Sequence, residues 1–388
     1  MCRYSRHMTF HPSNWLPPAA TLFSILSGLT PGLAQAQDAV TFRAGLSIQN
    51  DDNFFRAAAA QVSERTMTES VGVHVAIPYS LQRFELDAGL NNNQHSNFSN
   101  FDFVGRNYSA AWRWSYTPQL HGNVTTARTE TLNAATDTLN PALRNRNTTT
   151  SHGFDAVYEW GGPWQLSAGA TQSTSRNEQA LIGQADNRAN TYNAGVRYAL
   201  TSGNSISYNL RQARGTSTND YTLLTHEASG VWVASGNTTL NGRLAYVQSD
   251  YANAPQFDYN GFAGGINVNW RATSKITVVA GWQRDLSSYQ TTGSTHTQTD
   301  SFTASPTWQI SPKTSLALQY SYAMRHDLGS ATPSNRKDST QNTSIVYNWQ
   351  PRPFVSLSAS LAHARLSSNL AGLGYTDNLA SLTAQFNF

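Results

Sequence analysis

From Ala380 to the end of the chain, apolar and polar residues alternate without a break. Ala380, Leu382, Ala384, Phe386 and Phe388 fall on one side, and Ser381, Thr383, Gln385 and Asn387 on the other. A period of two predicts a β-strand whose two faces meet different environments. The pattern recurs along the chain. Val40, Phe42, Ala44, Leu46 and Ile48 alternate with Thr41, Arg43, Gly45, Ser47 and Gln49. Phe84, Leu86, Ala88 and Leu90 alternate with Arg83, Glu85, Asp87 and Gly89, and Tyr108, Ala110, Trp112, Trp114 and Tyr116 with Asn107, Ser109, Ala111, Arg113 and Ser115. Two segments are ambiguous. Leu120–Glu130 is weakly patterned, and in residues 223–234, above all His226–Ala234, either phase could face out.

Tight turns punctuate the strands at Pro78-Tyr79-Ser80, Thr117-Pro118-Gln119, Gly161-Gly162-Pro163, Thr201-Ser202-Gly203, Ser235-Gly236-Asn237, Ala272-Thr273-Ser274, Ser311-Pro312-Lys313 and Gln350–Pro353. Longer polar stretches such as Thr131–Thr148, Thr174–Arg188 and His326–Asp338 alternate with them and read as long loops. The count is about 18 strands, with short and long connections in turn, which predicts an all-β fold, a transmembrane antiparallel outer-membrane β-barrel. The short turns would be periplasmic and the long loops external. An even strand count lets the last strand pair with the first, and in lipid that closure is required because an open edge leaves backbone groups unpaired. Trp112, Trp114, Tyr116, Tyr158, Trp160, Trp164, Tyr198, Trp270, Trp308, Tyr347 and Trp349 all lie near the short turns, as an interfacial aromatic belt would.

Composition fits this picture. Only 13% of the 388 residues are charged, about half the share of a soluble domain, and Asn, Ser, Thr, Gln and Gly supply the polar face instead. Residues 1–36 read as a secretory signal, with Arg3 and Arg6, the apolar Ala19–Leu33 and the small Ala34-Gln35-Ala36 at its end, leaving residues 37–388 as the barrel. The single cysteine, Cys2, leaves with the signal, so no disulfide framework or thiol chemistry is expected. The whole chain carries +3; without Arg3 and Arg6 it has 24 basic and 23 acidic residues, so no nucleic-acid partner is implied.

The chain carries no Gly-x-Ser-x-Gly elbow, and His74, His95, His121, His152, His226, His296, His326 and His363 are scattered without metal-ligand spacing. No catalytic residue, cofactor or metal is expected. The informative chemistry is arginine. Lys275, Lys313 and Lys337 are the only lysines, all at or near connections. Arg43, Arg83, Arg113, Arg197, Arg211 and Arg243 fall in the inward phase, and their planar, permanently charged forks are candidate substrate contacts in the lumen. Arg43, Arg83, Arg113 and Arg197 lie at similar distances from the short turns, so they are expected as a ring of one sign that focuses potential. The competing expectation is that Glu85, Asp87, Asp155 and Glu159 pair with them. Phe386 and Phe388, ending an amphipathic strand, resemble the signal read by the outer-membrane assembly machinery.

Asp51-Asp52-Asn53-Phe54-Phe55-Arg56, following the first strand, resembles the start of the exosortase-associated exopolysaccharide outer-membrane proteins of the EpsL type and the wider group of β-barrel porins around them. The resemblance implies a passive conduit in the outer membrane of a Gram-negative bacterium, set among outer-membrane lipid and lipopolysaccharide. It would export an acidic or otherwise modified polysaccharide delivered by periplasmic polysaccharide export proteins. A polar wall of Asn, Gln, Ser and Thr serves equally a diffusion porin for small hydrophilic or anionic solutes. A barrel whose loops bind external partners is a third reading.

Overall fold

The computed structural model describes residues 39–133, 144–179, 185–200, 203–291, 294–329 and 336–388. The expected signal segment lies outside the described residues, as do the central parts of three of the polar stretches named above.

Eighteen antiparallel strands follow one another in chain order around one sheet. They are β1 (Val40–Asp51), β2 (Glu64–Tyr79), β3 (Gln82–His95), β4 (Phe103–Thr117), β5 (Leu120–Leu132) and β6 (Arg146–Gly161). Then come β7 (Trp164–Asn177), β8 (Asn187–Ala199), β9 (Ser205–Thr216), β10 (Asp220–Ser235), β11 (Thr238–Tyr251) and β12 (Tyr259–Arg271). The last six are β13 (Ile276–Thr291), β14 (Ser294–Ser311), β15 (Thr314–Leu328), β16 (Lys337–Arg352), β17 (Val355–Ser368) and β18 (Tyr375–Asn387). β1 pairs with β2 on one side and with β18 on the other, in register from Arg43 opposite Asn387 to Asp51 opposite Leu379. The terminal rung is a reciprocal pair: Phe42 N–H donates to Phe388 O and Phe388 N–H to Phe42 O, both at 2.8 Å. Closure therefore satisfies the backbone of both end strands.

The predicted phases hold. Phe42, Val71, Phe84, Leu244, Phe262, Leu361 and Leu382 are exposed on the outer face, as an apolar band against lipid requires. Both ambiguous strands are explained by their neighbours. In β5 the outward phase is Leu120, Gly122, Val124, Thr126 and Arg128; Gly122 lies under the Trp114 ring, where a Cβ would come within 2.7 Å of Trp114 Cζ2, so the pattern loses an apolar residue. In β10, Trp232 and Ala228 face out with His226, while Glu227 and Ser229 face the lumen. Val231 and Val233 in the lumen phase blurred the pattern.

The external connections are shorter than the sequence suggests. β5 runs to Leu132 and β6 starts at Arg146, β7 runs to Asn177, and β15 runs to Leu328. Ladder hydrogen bonding continues past the apolar band into Thr-, Ser- and Asn-rich rungs, where hydropathy no longer marks a strand. A polar lumen is also interrupted. Ala245 and Val247 from the lumen phase of β11 join Tyr251, Tyr259, Ala263 and Leu286 in a buried apolar cluster toward the external ends of β10–β13.

Candidate functional site

The inward phase of β1–β4 carries one charged cluster. Arg43 donates to Asp87, which also meets His74 Nδ1 at 2.9 Å. Glu85 lies between two guanidinium groups, Arg83 Nε at 2.8 Å and Arg113 Nη2 at 2.9 Å. A second cluster lies on β9–β13. Arg243 donates to Asp285 at 2.6 Å and approaches Glu227 at 3.6 Å, and Arg211 is within the electrostatic reach of both Glu227 and Arg243. β2 and β11 stand nine places apart in the ring of eighteen, so the two clusters face each other across the lumen.

The expected ring of one sign is not what forms. Arg43 is paired with Asp87 two strands away, and Arg83 and Arg113 share Glu85, because register puts Glu85 and Asp87 on the same face as these arginines. Of the four, Arg197 alone makes no ion pair among the described residues. The pairing of Asp155 and Glu159 with arginine does not form either. Asp155 accepts from Asn123 Nδ2 at 2.9 Å and Glu159 from Gln165 Nε2 at 2.7 Å. Between the clusters, hydroxyl pairs of β17, β18 and β1 line the wall: Ser360 and Ser381 are 2.7 Å apart and Ser47 and Thr383 2.9 Å apart, oxygen to oxygen.

Asp51–Arg56 forms a latch over the barrel seam. Arg56, in the left-handed region at φ 56°, turns its guanidinium back to Asp51 Oδ2 at 2.9 Å and across to Asp377 Oδ2 at 3.0 Å. Asn53, with no exposure, fixes the turn. Its N–H donates to Asp51 Oδ1, its Oδ1 accepts from Ala57 N–H, and its Nδ2 donates to the carbonyls of Ala57 and Thr376. Asp52 accepts from the N–H and the side-chain amide of Asn378. Phe54 stacks on Phe98 and meets Phe101 edge-on, and Phe55 packs edge-on or tilted against the same two rings of the β3–β4 connection. The motif thus ties β1 to β18, and its loop to the next. Thr376 and Asn378 are exposed and polar on the outer face of this rung, so it stands beyond the apolar band. There burial, the hydrogen bond that protonated Asp377 donates to Asp51 and the charges of Asp51 and Asp52 push the Asp377 carboxyl up to about 7 against the pull of Arg56. Asp51, Asp52 and Asp377 could converge on a shared cation; the cation the fold supplies is Arg56.

Phe386 and Phe388 stack on the outer face with ring centroids 6.4 Å apart. Sequence reasoning missed Asp377 and Glu227 as partners. Asp377 becomes visible only once β18 is laid beside β1, and Glu227 lies in the strand whose phase was open.

A family model described as "Putative beta-barrel porin 2" matches residues 228–388. The match covers the carboxy-terminal part of the barrel and does not reach the Asp51–Arg56 motif. A search of curated proteins gives no match. Among solved structures, the chain is similar to the outer membrane protein opdK from Pseudomonas aeruginosa, at 14% identity and TM-score 0.56, over 90% of this chain and 99% of that one. It is similar to OccK2 (OpdF) of the same organism in complex with glucuronate, at 12% identity and TM-score 0.55, over 90% and 98%. It is similar to a BenF-like porin from Pseudomonas fluorescens Pf-5, at 13% identity and TM-score 0.55, over 90% and 98%. At these identities the likeness is one of fold. With the closed sheet and its apolar outer band, it makes the chain an 18-stranded porin-like β-barrel of the Gram-negative outer membrane.

Proposed function

We propose that the barrel is a passive diffusion channel for small hydrophilic solutes, with a modest preference for those carrying a carboxylate, and that it performs no catalysis. The observation that carries this reading is Arg197, a lumen guanidinium with no ion pair among the described residues, on the wall that also holds Arg211 and Arg243. A solute carboxylate can take the place that no protein carboxylate fills. The hydroxyl wall of β17, β18 and β1 offers weak, exchangeable hydrogen bonds to a passing solute. The similar barrel solved with glucuronate supports this class of cargo. Exopolysaccharide export, with periplasmic export proteins as partners, draws on the Asp51–Arg56 resemblance alone. That segment ties strands together at the rim and touches neither lumen cluster, so export takes second place.

The test is the reversal potential of the purified protein in a planar bilayer under a salt gradient. One unit charge at about 8 Å in water is worth about 0.5 kcal/mol, roughly a twofold change in permeability ratio. The native channel should favour anions, and Arg197→Gln should reduce that preference by about this factor; Arg113→Gln leaves Glu85 held by Arg83, removes the same single charge and should act to a similar extent. Cation selectivity in the native channel, or no change on replacing Arg197, would refute the reading.

A further inference from the structure

The outer face of β5–β7 changes character in the same order on three neighbouring strands. On β5 the outward residues run Val124, Thr126, Arg128; on β6, from the apolar band upward, Phe154, His152, Thr150, Thr148, Arg146; on β7, Ala170, Gln172, Thr174, Arg176. Two concavities follow this gradient. The lower one, about 760 Å³, is apolar and walled by Phe84, Trp112, Phe154 and Tyr192. Its floor is kept low by small residues: Ala170 lies between Phe154 and Tyr192 in the register, and Ala110 between Leu86 and Thr126. The upper one, about 490 Å³, is lined by Arg128, Arg146 and Arg176 over Thr148, Thr150 and Thr174. Neutral polar groups lie between them, Thr126 Oγ1 3.0 Å from His152 Nδ1 and Gln172 donating to Asn190 at 3.1 Å.

Charge balance in the upper concavity favours an anion. Glu130 is shared by Arg128 and Arg146, and Glu178 is engaged by Arg144 at 2.6 Å. Arg176 makes no ion pair among the described residues. A solute in the lumen cannot reach this face, and water-soluble anions have no use for the apolar groove beneath. A molecule that needs both must carry phosphate above and acyl chains below, in that order along the membrane normal.

We propose that this face is a binding site for one lipopolysaccharide molecule of the outer leaflet. Its lipid-A phosphates meet Arg128, Arg146 and Arg176, its sugar hydroxyls meet the threonine and amide rung, and one acyl chain lies in the groove over Ala170. The planar guanidinium forks suit phosphate oxygens bidentately. The proposal is independent of what passes through the lumen.

The test uses the whole mature barrel, folded in detergent and checked for the shifted gel mobility of the folded form. Lipopolysaccharide and phosphatidylglycerol serve as probes, with adducts counted by native mass spectrometry over a lipid titration. The native barrel should hold one lipopolysaccharide in preference to phosphatidylglycerol. Arg146→Gln with Arg176→Gln should weaken that binding at least about tenfold, two charge-assisted contacts being lost. Ala170→Trp, which fills the groove without touching a charge, should weaken it as well. Equal retention of the two lipids by the native barrel overturns the proposal, and so does unchanged lipopolysaccharide binding in either variant.

Discussion

Arg56 carries the positive charge that joins the carboxylates of the first and last strands at the external rim, and its replacement by Gln tests the seam. Its guanidinium sits between Asp51 and Asp377, whose side chains are each only 5% exposed. Removing one partner of such a buried pair costs about 3–5 kcal/mol, because the remaining charges are left uncompensated. The rim is close to water, so the lower end applies, about 3 kcal/mol, or roughly a hundredfold in an opening equilibrium. The sign with pH follows from Asp377. Its carboxyl stands at about 7 in the fold against an ordinary 3.8. Its contribution is therefore fully present below 3.8 and is lost as pH rises through about 7. Arg56 limits that loss, so the Gln variant should be most damaged at about pH 8.5 and far less at about pH 5, where Asp377 is protonated. Hydrogen exchange reads the opening locally, at the amides of Asp52, bonded to Asn378 O at 3.1 Å, and of Asn378, bonded to Asp52 Oδ1 at 2.7 Å. Equal protection in the two proteins at high pH, or a loss that does not shrink on acidification, would show that the arginine is not what holds the seam.

Legibility followed hydropathy. Wherever the outer face meets lipid, alternation is enforced and the strands read directly, as in β1, β4 and β18. Above the band that constraint lapses, and strand ends such as Thr131–Leu132 of β5 and Arg146–Thr148 of β6 looked like loop although their ladders continue. The lumen arginines were legible by phase, and so were Glu85 and Asp87 as carboxylates able to pair with them; which arginine would be left unpaired was not. Whether Arg113 is free or held by Glu85 depends on the register of β3 against β4, which one residue of slip would reverse. The Asp51–Arg56 motif was visible as a segment, whereas its role as a seam latch needed Asp377, more than three hundred residues away, and that contact exists only because the sheet closes. The arginines of the outer face, Arg128, Arg146 and Arg176, drew no notice because a barrel's outward phase is expected to be apolar, and only the stagger of three adjacent strands collects them.

Two further outcomes concern topology and assembly. Lys313 sits in the β14–β15 turn with its Nζ 3.1 Å from Pro351 O of the next short turn, and Lys337 opens β16 at the opposite end, its N–H bonded to Asn369. Single cysteines at the two positions, treated in intact cells with a thiol reagent too large for porins, should label at 337 and not at 313; the reverse would mean an inverted barrel, and equal labelling that the two sites are not at opposite ends. The other outcome concerns Phe388. Its backbone is already satisfied by the two 2.8 Å bonds to Phe42, and a serine there would keep both. Its ring is 67% exposed on the lipid face and, among the described residues, stacks on Phe386. Full burial of an aromatic ring is worth about 1.5–3 kcal/mol, and the loss of one at a strand end leaves a barrel of this size folded once it is made. Phe388→Ser should therefore refold in detergent with a stability within about 2 kcal/mol of the native protein, yet reach the outer membrane at clearly lower levels in cells. The two measurements separate the explanations. Equal losses in vitro and in cells would make Phe388 a packing residue of the β1–β18 rung, normal levels in cells would remove the assembly role altogether, and only the split result assigns the terminal ring to recognition during insertion.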